Sequence, residues 1–164
     1  MRRRMMKSKI HRMTVTDANV DYIGSITLDP DLLARADIRE WEQVAVVDVD
    51  NGARFETYVI LGEPGRGACC LNGAAARLVH PGDKVIIITY ADYDDAELER
   101  YVPTIVHVDD RNSAITEAAA LLKAVTNSAE EAPAARRQRQ GFSPGPDEWT
   151  PWVTRTWPTS SSPS

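Results

Sequence analysis

The sequence predicts a mainly β protein: a small closed or nearly closed barrel with a few short helices and a disordered C-terminal tail. Three observations carry this. About seven short runs rich in β-branched and aromatic residues are separated by tight turns rather than long helices. Two of those turns, Asn51-Gly52 and His80-Pro81-Gly82-Asp83, use the residue types that turns demand. After Asn127 the composition shifts to Pro, Ser, Gly and charge with no sustained period, which cannot build a packed core. The barrel is therefore placed at residues 1–126 and the tail at 127–164.

Lys9 to Thr16 is β-rich with loose alternation and reads as a strand, broken by turn formers at Asp17 to Asp21. Tyr22 to Leu28 is a second strand, bent at Gly24. Asp29 and Pro30 supply an N-cap and a first-turn proline, so Asp31 to Ala36 reads as a short helix. Gln43 to Val49 and Arg54 to Leu61 form a hairpin about Asn51-Gly52, since both turn residues tolerate positive φ. Gly62 to Gly67 is a loop, Ala68 to Leu71 a short strand, and Ala74 to Arg77 a single helical turn. The isoleucines of Lys84 to Tyr90 read as a fully buried strand. Asp92 to Glu99 is acidic, a short helix or loop. Thr104 to Val108 is a further strand, and Ser113 to Val125 has helical composition with Ser113 as its cap.

The chain has 164 residues, 43% of them hydrophobic and 26% charged, with a formal net charge of −5. That is ordinary globular composition, and it gives no global attraction to nucleic acid. Cys69 and Cys70 are adjacent, rarely bridge each other, and cannot form a zinc site alone, so reduced thiols, no metal and a cytoplasmic setting are expected. The basic start, Met1 to Lys9, is followed by no apolar stretch of a signal peptide, and the longest aliphatic run, Val85 to Ile88, is too short to span a bilayer. Neither a membrane nor nucleic acid is an expected partner.

One dipeptide has unusual chemical potential. Gly24 lets the backbone take conformations other residues avoid, and the Ser25 hydroxyl can swing back onto the carbonyl before it. A chain held in that way can attack itself. Taken alone, however, Gly-Ser most often marks a turn into a strand.

The ordered set Lys9-Ile10-His11-Arg12, Tyr22-Ile23-Gly24-Ser25-Ile26-Thr27, Asn51-Gly52-Ala53-Arg54 with Thr57-Tyr58, and Leu71-Asn72-Gly73-Ala74-Ala75-Ala76 resembles the pyruvoyl-dependent aspartate 1-decarboxylase family. Gly82-Asp83 and the isoleucine-rich strand add to it. No single motif is specific; the order and spacing are. The likeness covers about residues 1–112, and the tail, with Trp149, Trp152 and Trp157, has no part in it.

That resemblance implies a double-psi β-barrel assembled as a homotetramer, with active sites between subunits. It implies an inactive proenzyme that cuts itself between Gly24 and Ser25, giving a β chain of residues 1–24 and an α chain from residue 25. Ser25 would become the pyruvoyl cofactor, which condenses with the substrate amine and accepts the electrons released on decarboxylation. Side chains offer no such sink, and no glycine-rich phosphate loop of the usual pattern points to another cofactor. The implied reaction is L-aspartate to β-alanine and carbon dioxide, in pantothenate biosynthesis.

The same resemblance assigns roles. Thr57 would hold the oxyanion formed as Ser25 attacks Gly24. Arg54, with Lys9 as second cation, would bind the substrate carboxylate, which a planar guanidinium suits. Tyr58 would return a proton to the α-carbon. Gly73, Ala74 and Ala75 would line the substrate pocket, where small side chains let backbone amides approach a ligand. Asn72 would orient the pyruvoyl group or its precursor, with Tyr22 and His11 in support. Each has an ordinary alternative: Lys9 a solvated strand charge, Arg54 an edge charge, Tyr58 a half-buried strand residue, His11 a structural histidine.

Alternation along Arg54 to Leu61 places Arg54 and Tyr58 on one face and Thr57 on the other. One site can use both Thr57 and Tyr58 only through a bulge, or by sharing between subunits. Three points stay open at this level: whether cleavage is spontaneous or aided by a maturation factor, whether the substrate is another amino acid, and whether the barrel is a non-catalytic interaction module whose tryptophan-bearing tail binds a partner.

Overall fold

A computed structural model describes residues 1–116 and 119. The tail expected at 127–164, and most of the helix expected from Ser113, lie outside the described residues. Nine strands are described: β1 (Arg2–Thr14), β2 (Asp17–Asn19), β3 (Ser25–Leu28), β4 (Gln43–Asp48), β5 (Arg54–Leu61), β6 (Cys69–Asn72), β7 (Lys84–Asp94), β8 (Thr104–Val108) and β9 (Ala114–Ile115). The helical elements are α1 (Pro30–Ala36), a 3-10 turn at Gly73–Leu78 and α2 (Asp95–Leu98).

The strands form one sheet in the order β2-β6-β3-β5-β4-β7-β1-β8-β9. The ladder is not closed by hydrogen bonds between its ends. However, β2 continues β1 after only Val15 and Thr16, so the order from β2 to β1 returns to the same stretch of chain. Val15 N–H donates to Asp83 O at 2.8 Å, and Thr16 N–H donates to Cys69 O at 2.8 Å, passing the chain from the β7 side to the β6 side. The result is the mainly β, barrel-like architecture that the sequence predicts. Three pairs are parallel, β1 with β8, β2 with β6 and β3 with β5, and the remaining pairs are antiparallel.

One face of this sheet is closed over a core. Ile10, Met13, Ile26, Leu28, Val44, Val46, Val59, Leu71, Val85 and Ile87 are all fully buried. Each aliphatic side chain so buried contributes about 1.5–3 kcal/mol. Ser8 and Thr89 are also fully buried, and their hydroxyls pair with each other at 2.8 Å, which satisfies both inside the core.

Several expectations change in detail. The segment Asp17–Asn19 is a strand rather than a turn, because it pairs with β6. Only Ser25–Leu28 of the expected strand from Tyr22 joins the sheet. The hairpin about Asn51-Gly52 forms, but positive φ falls on Gly52 alone (+79°) and the Asp48 carboxylate holds the turn through Asp50 N–H and Asn51 N–H. The isoleucine-rich strand is not buried throughout: Val85, Ile87 and Thr89 point inward while Ile86 and Ile88 are half-buried. Both β1 and β7 run longer than their sequences suggest, with Arg2 opposite Asp94 and Arg4 opposite Asp92. Facing opposite charges support that extension across the strands. Ser113 caps no helix; it precedes β9.

The end of β3 is anchored by Asp29, which is 2% exposed. Its carboxylate accepts from Asp31 N–H at 2.9 Å as the cap of α1, and from Gly65 and Gly67 N–H at 3.1 and 2.6 Å. Desolvation works against the charge, but these backbone donors, Gly67 foremost, outweigh it and lower the carboxyl's pKa below its ordinary value. A lowered folded pKa means stability that is present above pH 4 and lost as pH falls through the folded value. Asp29→Ala should therefore cost at least about 2 kcal/mol at neutral pH by chemical denaturation, and the difference from wild type should shrink in acid.

Candidate active site

Ser25 opens β3 and is 1% exposed. It lies opposite Asn72, the last residue of β6, in the antiparallel β3–β6 ladder. The buried Asn72 amide uses both of its Nδ2 hydrogens here, donating to Ser25 Oγ at 2.9 Å and to Thr27 Oγ1 at 3.0 Å. Its Oδ1 accepts from the Cys70 thiol at 3.4 Å. The Ser25 oxygen is thus held as an acceptor, which leaves its own proton available for transfer.

The glycine under constraint is Gly73 rather than Gly24. Gly24 has no positive φ, and a Cβ there would meet nothing within 4 Å, so the conformational freedom that glycine offers is not used at Gly24. Gly73 has φ +61°, and a Cβ on it would lie 2.7 Å from Gly24 N, 2.8 Å from Gly24 Cα and 3.0 Å from Tyr22 O. Only glycine permits this approach of backbone to backbone. The 3-10 turn then carries Ala74, exposed, and Ala75, packed against the core. Tyr22 contributes its backbone to the junction, while its side chain is 51% exposed.

The parallel β3–β5 ladder pairs Ile26 with Val59 and Thr27 with Ile60. Ile26 and Val59 face the core, so Ser25 and Thr27 share the outer face with Tyr58 and Ile60. The β4–β5 register runs without interruption from Gln43↔Tyr58 to Val47↔Arg54. There is no bulge, so Thr57 faces inward, away from Tyr58 and Arg54. Thr57 makes no side-chain hydrogen bond among the described residues, to Gly24 or otherwise. Arg54 is exposed and four residues before Tyr58, roughly 13 Å along the strand.

Lys9 and His11 stand on β1, with β7, β4 and β5 between them and β3. Among the described residues no hydrogen bond joins either side chain to Ser25. Among the described residues neither Lys9 nor Arg54 forms an ion pair. His11 lies opposite His107, the rings meeting edge to face at 5.4 Å, and its buried Nδ1 has no hydrogen-bond partner among the described residues. Desolvation first, then Lys9, His107 and Arg12, lower its pKa.

Thr27 and Cys70 were not singled out by sequence reasoning. The available signal was positional: Thr27 falls two residues after Ser25, and Cys70 two before Asn72, so strict alternation puts each on the same face as its neighbour. Cys69 and Cys70 are both unbridged, and burial pushes the Cys69 thiol up to about 12.

Fold and site together define a small mixed β-barrel with a buried serine at a Gly-Ser junction, its hydroxyl fixed by a carboxamide and the residue before it in close approach to a second glycine. The family model described as Aspartate decarboxylase matches residues 1–115. Similar proteins named aspartate 1-decarboxylase occur in Heliobacterium modesticaldum (61% identity over 118 residues, 72% of this chain and 89% of the relative). Others are found in Acetivibrio thermocellus (62% over 111 residues, 68% and 88%) and Corynebacterium efficiens (58% over 112 residues, 68% and 82%). The chain belongs to the aspartate decarboxylase family.

Two outcomes follow for this geometry. Gly73→Ala must displace Gly24 or the 3-10 turn, and should lower stability by about 1–3 kcal/mol with faster amide exchange at Tyr22 to Ser25. Because the folded pKa of His11 is lowered, its contribution is present above its ordinary value of 6.5 and is lost as pH falls. His11→Gln should flatten the decline in melting temperature between pH 7 and pH 5; an unchanged slope would contradict this.

Proposed function

We propose that this chain cuts itself between Gly24 and Ser25 and then decarboxylates L-aspartate to β-alanine and carbon dioxide, in the cytoplasm and toward pantothenate. The observation that carries the proposal is the buried Asn72 Nδ2–Ser25 Oγ hydrogen bond at 2.9 Å beside the Gly73–Gly24 contact. It presents a serine oxygen, with a mobile proton, next to the one peptide bond that the family pattern marks.

Ser25 Oγ attacks the Gly24 carbonyl carbon. The Gly24–Ser25 C–N bond breaks, an ester forms, and the hydroxyl proton ends on the freed amine. Asn72 keeps Oγ in place, and Thr57, on the strand that pairs with β3, is our candidate for holding the oxyanion. Loss of the Ser25 α-proton then expels the Gly24 carboxylate and leaves a dehydroalanine. Its imine tautomer takes up water and releases ammonia, leaving a ketone at the new terminus.

The group forms from Ser25's own atoms, beside the Asn72 Nδ2 donor that reaches Ser25 Oγ at 2.9 Å, so the residues fit it. The pyruvoyl group, once formed, supplies the electron sink that side chains lack. Around it Asn72 orients the former serine carbons. Arg54 and Lys9, cations without a carboxylate partner among the described residues, bind the substrate carboxylate, and Tyr58 delivers the proton to the α-carbon. Tyr58 shares the outer face with Ser25. In a homotetramer with sites shared between subunits, Lys9 and His11 reach Ser25 from a neighbouring chain.

Two measurements test the proposal. Borohydride treatment in the presence of L-aspartate should attach the substrate amine to the chain that begins at residue 25, and should attach nothing in Ser25→Ala. Aspartate should be turned over where glutamate, histidine and arginine are not. Absence of any reducible carbonyl in the wild type would contradict the proposal, and preference for another amino acid would replace the substrate. Asn72→Ala should slow cleavage about 100-fold, since the nucleophile loses its fixed position. Cleavage of the purified chain alone would dispense with a maturation factor.

A further inference from the structure

We infer that Trp41, in the loop between α1 and β4, is a positioning residue for Tyr58. This rests on the reading of Tyr58 as the proton donor. Trp41 has φ +69°, a left-handed conformation in which a bulky side chain is a steric outlier and which glycine or asparagine adopts readily. Burial does not offset that strain, because the residue is 68% exposed. A loop selected for folding alone would carry a small or turn-forming residue here. What the indole does make is a flat contact: it stacks on the Tyr58 ring with centroids 5.6 Å apart and planes 20° from parallel.

The backbone around Trp41 is built to present that contact. Its N–H donates to Val59 O at 2.8 Å, and Val59 N–H donates back to Glu42 O at 3.1 Å, which fastens the loop to β5 immediately beside Tyr58. The Glu42 carboxylate pairs with Lys7 Nζ at 2.7 Å and accepts from Arg39 N–H at 2.9 Å, so the loop is tied to β1 and closed on itself. Tyr58 makes no side-chain hydrogen bond among the described residues, so the stacked indole is what restricts its ring. A general acid works only when its proton lies within hydrogen-bond reach of the acceptor atom, and small misplacements carry large penalties in rate.

The strain and the contact pull stability and activity in opposite directions, which separates a positioning role from a merely structural one. Trp41→Gly and Trp41→Asn relieve the left-handed strain and remove the ring. Both should be cleaved to completion and melt at or above the wild-type temperature, yet show kcat reduced about 10-fold with KM for aspartate unchanged. In a Ser25→Ala background, which forms no cofactor, Trp41→Gly should likewise melt no lower than its parent. Trp41→Phe, which keeps an aromatic face, should retain most of kcat. In a Tyr58→Phe background Trp41→Gly should cause no further loss, because the two residues act as one unit.

Several results would overturn the inference. They are wild-type kcat in both small-residue variants, a joint fall of kcat and melting temperature, stalled cleavage or lost oligomer in both, a Trp41→Phe enzyme as slow as Trp41→Gly, and an additive loss with Tyr58→Phe. A wild-type chain with no reducible carbonyl would remove the proposed function and this inference together. Undiminished turnover in Trp41→Gly would remove only the role of Trp41.

Discussion

Two consecutive residues, Asn72 and Gly73, govern the geometry of the Gly24-Ser25 junction. Asn72 ends a strand that pairs with the strand Ser25 begins, so its carboxamide reaches the serine hydroxyl where both residues are buried. Gly73 turns the chain with positive φ and lets its α-carbon press against the backbone of Gly24. In a buried site a hydrogen bond is worth keeping because its loss leaves a polar group without water. Here Asn72 satisfies two hydroxyls, Ser25 and Thr27, and the Cys70 thiol in turn satisfies Asn72. The short strand carrying Ser25 is then fixed at its far end by Asp29, which joins the helix cap to the loop at Gly65 and Gly67.

Alternation along β5 has a consequence for assembly. With the β4–β5 register unbroken, Thr57 and Tyr58 face opposite sides of the sheet, and the bulge that would have reconciled them in one chain is absent. Lys9 and His11 are separated from Ser25 by three strands of the ladder. Ser25 and Asn72 are joined directly across β3 and β6, whereas Arg54 and Lys9 stand on β5 and β1. As proposed, self-processing uses the Ser25–Asn72 contact within one chain, and substrate binding draws on neighbouring subunits.

Local features were legible in the sequence. Asp29 followed by Pro30 specifies the start of α1 because a carboxylate cap and a fixed φ act over two or three residues. The bounds of β5 and β8 follow from β-rich runs between turn formers, and the importance of Asn72 came with the family pattern. What was not legible depends on pairing between distant segments. Asp17–Asn19 looks like a turn until β6 supplies its hydrogen bonds, and the basic start becomes strand because β7 pairs with it. The demand for a glycine sits at Gly73 and not at Gly24, since it arises from the approach of two loops across the sheet. The stacking of Trp41 on Tyr58 likewise depends on how a loop folds back over β5, which no local pattern encodes.

The proposed cleavage breaks one peptide bond, Gly24–Ser25. The most direct measurement is the intact mass of the purified protein under denaturing conditions, followed over time. The account predicts two polypeptides, one ending at Gly24 and one beginning at the former Ser25 with its amine replaced by a ketone oxygen. A single chain of unchanged mass after prolonged incubation would contradict it.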